Sequence, residues 1–366
     1  MFELVKILTE LPGPTGYEDP IQDWLAGRWR ELGLQVERTP IGNLKAHLGG
    51  RGPKLLIGAH ADEICFRVKS IDAQGFLWLT AGRGMAEQNP PEPVPLGLTA
   101  HVFTPTAIVE GTFVTVTGHV MTRQQRAYHA SHAMDWLDFF VDVGARTRAE
   151  AEAMGLHAGC PVINAITTRR NGRNIVGKAM DDRAGLAVMT ALAERVDRAR
   201  LRYDVWLTST VAEETGLIGA RSVAAGMDLG LVVEVGLAGD IPLVDARSMP
   251  AHLGGGPILV HKDAGVPYDR KLTLHLARCA EAAGIHVQHA TFQNFASDGK
   301  EWILEGVPTA MVAFPCRYTH SPHETVEEAD LEALTDLMVA FATTARPEDS
   351  SLTHPTSLGK GEVKRR

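Results

Sequence analysis

Apolar runs that end in polar residues recur along the chain and predict buried strands. The run at 54–64 leads into His60 and Asp62, and the run at 205–211 ends just before Glu213 and Glu214. Further runs follow at 229–235, 258–260, 286–290 and 308–314. The segments between these runs carry apolar residues at helical spacing, so the pattern predicts an α/β fold.

Helices are predicted in the segments that show this spacing or high helix propensity. They are expected at 3–11, 19–33, 186–196, 220–225, 269–283 and 328–344. The polar residues that follow, at 347–366, predict a disordered tail.

The pattern of apolar and polar residues changes in the middle of the chain. From 68 to 166, short β-rich runs alternate with Gly and Pro, which predicts a small β-barrel inserted into the α/β domain. The expected division is therefore 1–67 and 167–346 for the α/β domain and 68–166 for the barrel. The segment 119–135 contains His119, His129, His132 and Asp135, which indicates either a metal cluster or, as we favour, a solvated loop.

Composition restricts the function. The chain has 366 residues, 45% hydrophobic and 22% charged, as in ordinary soluble proteins of about two domains. A net charge of −8 argues against a nucleic-acid partner. No apolar run approaches the roughly 20 residues that span a bilayer, and the first residues predict an amphipathic helix, not a signal peptide. Four scattered cysteines favour a reducing cytoplasm over a disulfide framework.

The candidate chemistry lies at the predicted strand ends. His60 and Asp62 can face one way, and an imidazole that binds metal normally donates its other N–H to a carboxylate. Of the neighbours Glu213 and Glu214, one could bind a metal ion while the other moves a proton. The alternative is that the pair is simply solvated.

Three more residues complete the candidate set. Asp181 opens a helix, where it could bridge two ions, although it or Asp182 could instead be an N-cap. Glu234 ends an apolar strand and would need a partner if buried. His320 follows the last strand. Two imidazoles and several carboxylates suit a pair of Zn²⁺, Co²⁺ or Mn²⁺ ions, with Zn²⁺ favoured.

The order of the motifs resembles the M42 metallo-aminopeptidases, the glutamyl, lysyl, deblocking and tetrahedral aminopeptidases. The resemblance covers roughly residues 1–345. It is carried by the segments HADEI from His60, GKAMDDRAG from Gly177, EETGLIGA from Glu213, EVGLAGDIP from Glu234 and RYTHSP from Arg317.

The resemblance implies a di-metal α/β/α peptidase sandwich interrupted by a PDZ-like β-barrel that is used in assembly, with a dodecamer favoured and a dimer as the alternative. It implies peptide substrates and two divalent ions per subunit, one ion held by His60, Asp181 and Glu234 and the other by Asp181, Glu214 and His320. Asp62 would orient His60, and Glu213 would accept a proton from the attacking water. The Asp181–Asp182 peptide is expected to be cis. The family usually has Asp where this chain has Glu234.

Two other functions stay open from the sequence. One is a related di-zinc carboxypeptidase or deacylase, and the other is an assembly scaffold whose metal site has decayed. Side-chain preference is also open, since an acidic preference would need a cation in the substrate pocket. The candidates for that cation are Arg221, Arg247, Lys262 and Arg317, and Gly254–Gly256 and Ser297-Asp298 are candidates for shaping the substrate site.

Overall fold

The fold is that of a computed structural model that describes residues 1–82 and 93–346. The predicted tail at 347–366 lies outside this range. In the described residues the helices are α1 Phe2–Glu10, α2 Asp19–Glu31, α3 Arg123–Ser131, α4 Arg148–Ala153, α5 Met180–Arg195, α6 Arg270–Ala283, α7 Gly299–Leu304 and α8 Glu328–Thr343. None of these helices has the length and apolar character that crossing a membrane requires.

The strands fall into two groups, a large sheet and a barrel. The sheet comprises β1 Gln35–Arg38, β2 Leu44–Gly49, β3 Lys54–His60, β10 Arg169–Asn171, β11 Asn174–Gly177, β12 Asp204–Thr210, β13 Leu229–Leu237, β14 Ile258–Lys262, β15 Gln288–Thr291, β16 Thr309–Arg317 and β17 Glu324–Glu327. The barrel comprises β4 Phe66–Ile71, β5 Leu77–Ala81, β6 Thr99–Phe103, β7 Ile108–Thr115, β8 Phe139–Asp142 and β9 Pro161–Asn164.

Parallel strands form the centre of the large sheet. Its main order is β1-β2-β12-β3-β13-β16-β17-β11-β10, and β14 and β15 extend it beside β16. The neighbours β12, β3, β13 and β16 pair in parallel. The carboxyl ends of these four strands therefore meet at one edge, which is where open α/β sheets place their functional groups.

Each face of the sheet buries an apolar layer, because successive side chains of a strand point to opposite faces. In β13, Leu231 and Val233 lie in the core that includes side chains of α1, α2, α5, α6 and α8. Val232 points the other way and packs in a second core that contains Trp302 of α7. The sheet is thus covered on both sides.

The barrel lies between β3 and β10 in the sequence. Its strands close in the order β4-β5-β8-β7-β6-β9 around a core of their own that includes Phe113, Phe139 and Val141. The prediction of an α/β sheet interrupted by a β-barrel is therefore confirmed. The domain boundaries, placed after residues 67 and 166, stay predictions.

Two local predictions are wrong. The segment 119–135 is not a loop, because it contains the exposed helix α3, which starts with a capping box of Thr122 and Gln125. The expected helix at 220–225 is a series of turns. Ser222 has φ 67°, a left-handed conformation that an α-helix cannot accommodate.

Candidate metal centre and active site

The candidate residues come together at the carboxyl edge of the parallel strands. His60 is the last residue of β3 and lies in register with Thr210, the last residue of β12, so the segment after β12 brings Glu213 and Glu214 beside it. Glu234 lies within β13. His320 follows β16 and has φ 64°. Asp181 is in the first turn of α5, and the peptide bond that joins it to Asp182 is cis.

Asp181 is at the centre of the arrangement. Its Oδ1 lies 2.9 Å from Nε2 of His60, and its Oδ2 lies 3.2 Å from Nε2 of His320. The same nitrogen of His320 is 3.1 Å from Oε1 of Glu214. On the other side, Nε2 of His60 is 3.8 Å from Oε1 of Glu234. Each oxygen of one carboxylate therefore faces a different imidazole.

These contacts define two groups that could hold a metal ion. In the described part of the chain, the groups are His60, Asp181 and Glu234, and Asp181, Glu214 and His320. Within each group the ligand atoms lie no more than 4.8 Å apart. The segment 119–135, for which a metal cluster was one reading, contributes to neither group. Glu213 is outside both, although its Oε2 lies 3.9 Å from Nε2 of His60.

Asp62 links the imidazole to the two neighbouring glutamates. Its Oδ1 is 3.4 Å from Nδ1 of His60. It also accepts hydrogen bonds from the backbone N–H groups of Glu213 at 3.0 Å and Glu214 at 3.2 Å, and from the hydroxyl of Thr15 at 2.8 Å. Asp62 is completely buried. The sequence suggested only the contact with His60. The two backbone hydrogen bonds show that Asp62 also holds the segment that carries Glu213 and Glu214.

The electrostatics of the site are those of crowded, buried acids. Burial raises the pKa of Glu213 well above its usual range, and the nearby charge of Glu234 adds to the shift. Burial likewise raises the pKa of Glu234, with Asp181 contributing. The pKa of Asp181 shifts downward instead. Burial would raise it, but the hydrogen bonds with His320 and His60 outweigh that effect. Divalent cations would offset this accumulation of negative charge.

The donor set fits such ions. Each group offers one imidazole nitrogen and two carboxylates, a mixture that suits Zn²⁺, Co²⁺ or Mn²⁺. The side chain of Glu234 is one methylene longer than that of Asp, and it places a carboxylate oxygen in the group with His60 and Asp181. Its Oε1 also accepts a hydrogen bond of 2.9 Å from the N–H of Val235, which fixes its orientation.

Glu324 is a member of the site that the sequence analysis missed. It is buried at the start of β17 and accepts hydrogen bonds from the backbone N–H of Asp181 at 3.1 Å and of His320 at 2.6 Å. Burial, with the charge of Asp181, raises the pKa of Glu324 to about 8. The only signal in the sequence was its position four residues after His320. Glu324 joins two candidate ligands that are far apart in the chain.

A cavity of about 810 Å³ opens onto these residues. The residues that line it include the candidate ligands and Glu213 and also the apolar Leu217, Leu237 and Phe295. This volume is in the range of small-molecule sites. The arrangement can hold a substrate whose reacting bond lies over the paired groups.

Other residues singled out in the sequence lie elsewhere. The glycine run 254–256 is not in the lining of the cavity; Gly254 and Gly256 donate hydrogen bonds of 2.8 Å to the buried Asp330. Ser297 and Asp298 are buried and are not among the residues that line the cavity. Of the four candidate cations for an acidic pocket, only Arg221 lines the cavity.

Comparison with known proteins agrees with this geometry. The family described as M42 glutamyl aminopeptidase matches residues 42–337. The putative aminopeptidase FrvX of Escherichia coli (strain K12) is 30% identical, over 94% of this chain and 96% of its own length. The lysyl aminopeptidase of Pyrococcus furiosus is 29% identical, over 95% and 98% of the two chains. The TET1 peptidase of Pyrococcus horikoshii, described as assembling into a tetrahedron or a large octahedral shell, superposes with a TM-score of 0.81 at 25% identity, over 93% and 98% of the chains.

These matches, with the sheet and the site, place the chain among the peptidases, enzymes that hydrolyse peptide bonds. Within that class it belongs to the M42 family, whose model covers most of its length. The resemblance inferred from the motifs is therefore confirmed.

Proposed function

We propose that this protein is an aminopeptidase that depends on two divalent metal ions, with Zn²⁺ favoured and Co²⁺ or Mn²⁺ as alternatives. One ion would be held by His60, Asp181 and Glu234. The other would be held by Asp181, Glu214 and His320, with Asp181 shared. Its substrates are peptides, from which it removes N-terminal residues.

The observation that carries the proposal is the placement of Asp181. Its two carboxylate oxygens face the Nε2 atoms of His60 and His320 at 2.9 and 3.2 Å. A carboxylate between two imidazoles, with one further carboxylate on each side, is suited to bridge a pair of cations. A scaffold without metal would gain nothing from burying these like charges together.

Glu213 is the candidate for moving the proton. Because it is buried beside the ligand groups but belongs to neither, its carboxylate is free to accept a proton from the attacking water. The same group then donates that proton to the nitrogen of the leaving amine. Bound divalent ions would supply polarisation of the scissile carbonyl and a lowered pKa for the water. Asp62 keeps Glu213 in place through the backbone hydrogen bond at 3.0 Å and holds His60 from the Nδ1 side.

Metal removal combined with a substrate panel tests this function. We expect the purified chain to contain close to two ions, to lose hydrolysis of aminoacyl anilides on chelation, and to recover it with Zn²⁺, Co²⁺ or Mn²⁺. N-acyl amino acids, which lack a free amine, serve as the matched control and should not be cleaved. Cleavage of N-acyl substrates alone would favour a deacylase or carboxypeptidase. Well under one ion per chain after reconstitution, with no turnover, would favour a decayed scaffold.

We also propose that the chain forms a homo-oligomer through its barrel, with twelve subunits favoured and a dimer as the alternative. The support is the described assembly of the TET1 peptidase, whose fold this chain shares. Light scattering on the purified protein should give about twelve times the mass of one chain. A monomer at micromolar concentration would contradict the proposal. The cytoplasmic location expected from the sequence stays a prediction.

A further inference from the structure

The segment 211–219, which carries the two neighbouring glutamates of the site, is a loop that closes on itself. The N–H of Gly219 donates to the carbonyl of Val211 at 2.9 Å. The buried side chain of Asn43 spans the same point, since its amide donates to the carbonyl of Gly219 at 2.7 Å and its oxygen accepts from the N–H of Val211 at 3.0 Å. Both ends of the loop are therefore fixed, and the placement of the two glutamates depends on the backbone between them.

Ala212 has an unusual backbone conformation within this loop. Its φ is 53°, in the left-handed region. For a residue with a Cβ atom, this conformation costs enough free energy to lower its population about tenfold. Ala212 directly precedes Glu213, so a return of φ to a negative value would turn the chain and displace the carboxylate. A contact that keeps Ala212 left-handed therefore keeps Glu213 in place.

Glu18 makes such a contact. Its Oε1 accepts a hydrogen bond of 3.1 Å from the N–H of Ala212 and one of 2.8 Å from the N–H of Gly16. Glu18 directly precedes α2, yet its side chain makes no capping hydrogen bond to that helix. This buried carboxylate instead reaches a loop that lies 194 residues further along the chain.

The turn that carries Glu18 is itself tied to the site and to the barrel. The hydroxyl of Thr15 donates to Asp62 at 2.8 Å, and the carbonyl of Thr15 accepts a hydrogen bond of 2.7 Å from Arg67 of β4. Glu18 is thus held in a fixed position relative to Asp62. Together these two buried carboxylates accept three successive backbone N–H groups, those of residues 212–214.

We propose that Glu18 is a positioning residue, which keeps Ala212 left-handed and thereby aims Glu213 at the attacking water. Glu18 does not line the cavity, so it acts only through the loop. The property that this role requires is acceptance of a hydrogen bond, which the amide oxygen of a glutamine also provides. The inference rests on the proposed function, in which Glu213 moves the proton.

The test uses the metal-loaded full chain and an aminoacyl p-nitroanilide. In Glu18→Met, which keeps the length of the side chain but removes the acceptor, we expect kcat to fall about tenfold with little change in KM. Glu18→Gln should stay within about twofold of the wild type. The matched control is Glu10→Met, because Glu10 also accepts a backbone N–H, that of Thr168 at 2.9 Å, but outside the loop. This control should keep the wild-type kcat.

Substitutions of Ala212 test the same contact from its other side. Glycine takes the left-handed conformation without a steric penalty, so Ala212→Gly should restore most of the kcat lost in Glu18→Met when the two are combined. Valine has a branched Cβ that disfavours this conformation, so Ala212→Val should lower kcat about tenfold even with Glu18 intact. A loss caused only by altered packing around Glu18 would not respond to glycine at position 212.

The outcomes separate this inference from the proposed function. A wild type that hydrolyses no aminoacyl anilide ends the aminopeptidase proposal itself. If the wild type is active and Glu18→Met equals it, or if Ala212→Gly restores nothing, the positioning role of Glu18 is wrong. An equal loss in Glu18→Gln and Glu18→Met would assign the effect to charge and overturn the role as an acceptor.

Two further measurements guard against other causes of a lower kcat. Metal analysis of Glu18→Met should still give two ions per chain, and a lost ion would assign the effect to the ligand Glu214 instead of Glu213. Circular dichroism shows whether each variant is folded. If Glu18→Met does not fold, Ala212→Val decides the question: a reduced kcat supports the role of the left-handed residue that Glu18 holds, and an unchanged kcat overturns it.

Discussion

We expect the Glu213→Gln variant to lose about 10²–10⁴-fold in kcat, the usual contribution of a positioned acid or base, while it keeps its metal content. Glutamine has nearly the same shape as glutamate but cannot accept the proton of the attacking water. Because Glu213 belongs to neither ligand group, its substitution removes no ligand. KM should change little. The measurements are steady-state kinetics on an aminoacyl anilide and metal analysis of the same preparation.

Glu214→Gln, a substitution of the adjacent residue, is the variant to compare with Glu213→Gln. Glu214 lies 3.1 Å from Nε2 of His320 and belongs to one ligand group, so this variant should hold about one ion less per chain. The two residues are neighbours in sequence, and their backbone N–H groups both donate to Asp62. If Glu213→Gln loses an ion while Glu214→Gln keeps both, the roles of the two glutamates are the reverse of those proposed.

A second large effect is expected at Lys178, this time on stability. Its ammonium is buried and lies 2.6 Å from Oε2 of Glu63, which is also buried. Burial lowers the pKa of Lys178, and the charge of Glu63 partly counteracts that shift. In Lys178→Met the carboxylate of Glu63 loses its nearest counter-charge, so we expect the free energy of unfolding to fall by about 3–5 kcal/mol. Urea denaturation monitored by circular dichroism measures the change.

The double variant, Lys178→Met with Glu63→Leu, distinguishes an electrostatic cause of the stability loss from a loss of packing. Removing both partners leaves neither Lys178 nor Glu63 as a buried ion without the other, so the double variant should be more stable than Lys178→Met alone. Arg183, which is 3.7 Å from Glu63, loses that counter-charge in the double variant, but its hydrogen bonds to the carbonyls of Leu8 and Gly13 do not involve either substituted residue. If the double variant is no more stable than the single one, the loss arises from packing and the electrostatic explanation is wrong.

The strand ends were the most predictable part of the molecule. An apolar run that stops at His60 or before Glu213 indicates a buried strand that reaches the sheet edge, and parallel strands bring such ends together. The structure places these residues within a few ångströms of each other. Family resemblance supplied the assignment of ligands, which spacing alone left open.

Other features depended on contacts that the sequence does not encode locally. Glu324 matters because the fold brings the N–H groups of Asp181 and His320 to it, and Thr15 matters because its hydroxyl reaches Asp62. The helix α3 was missed because its polar residues give no apolar stripe, and none of its side chains is buried.

The spacing of the imidazoles along the chain has a consequence for synthesis. His60 leaves the ribosome early, but His320 follows β16, which pairs with β13 in the middle of the sheet. An incomplete polypeptide that ends before β16 therefore lacks His320 and cannot form the candidate ligand group of Asp181, Glu214 and His320.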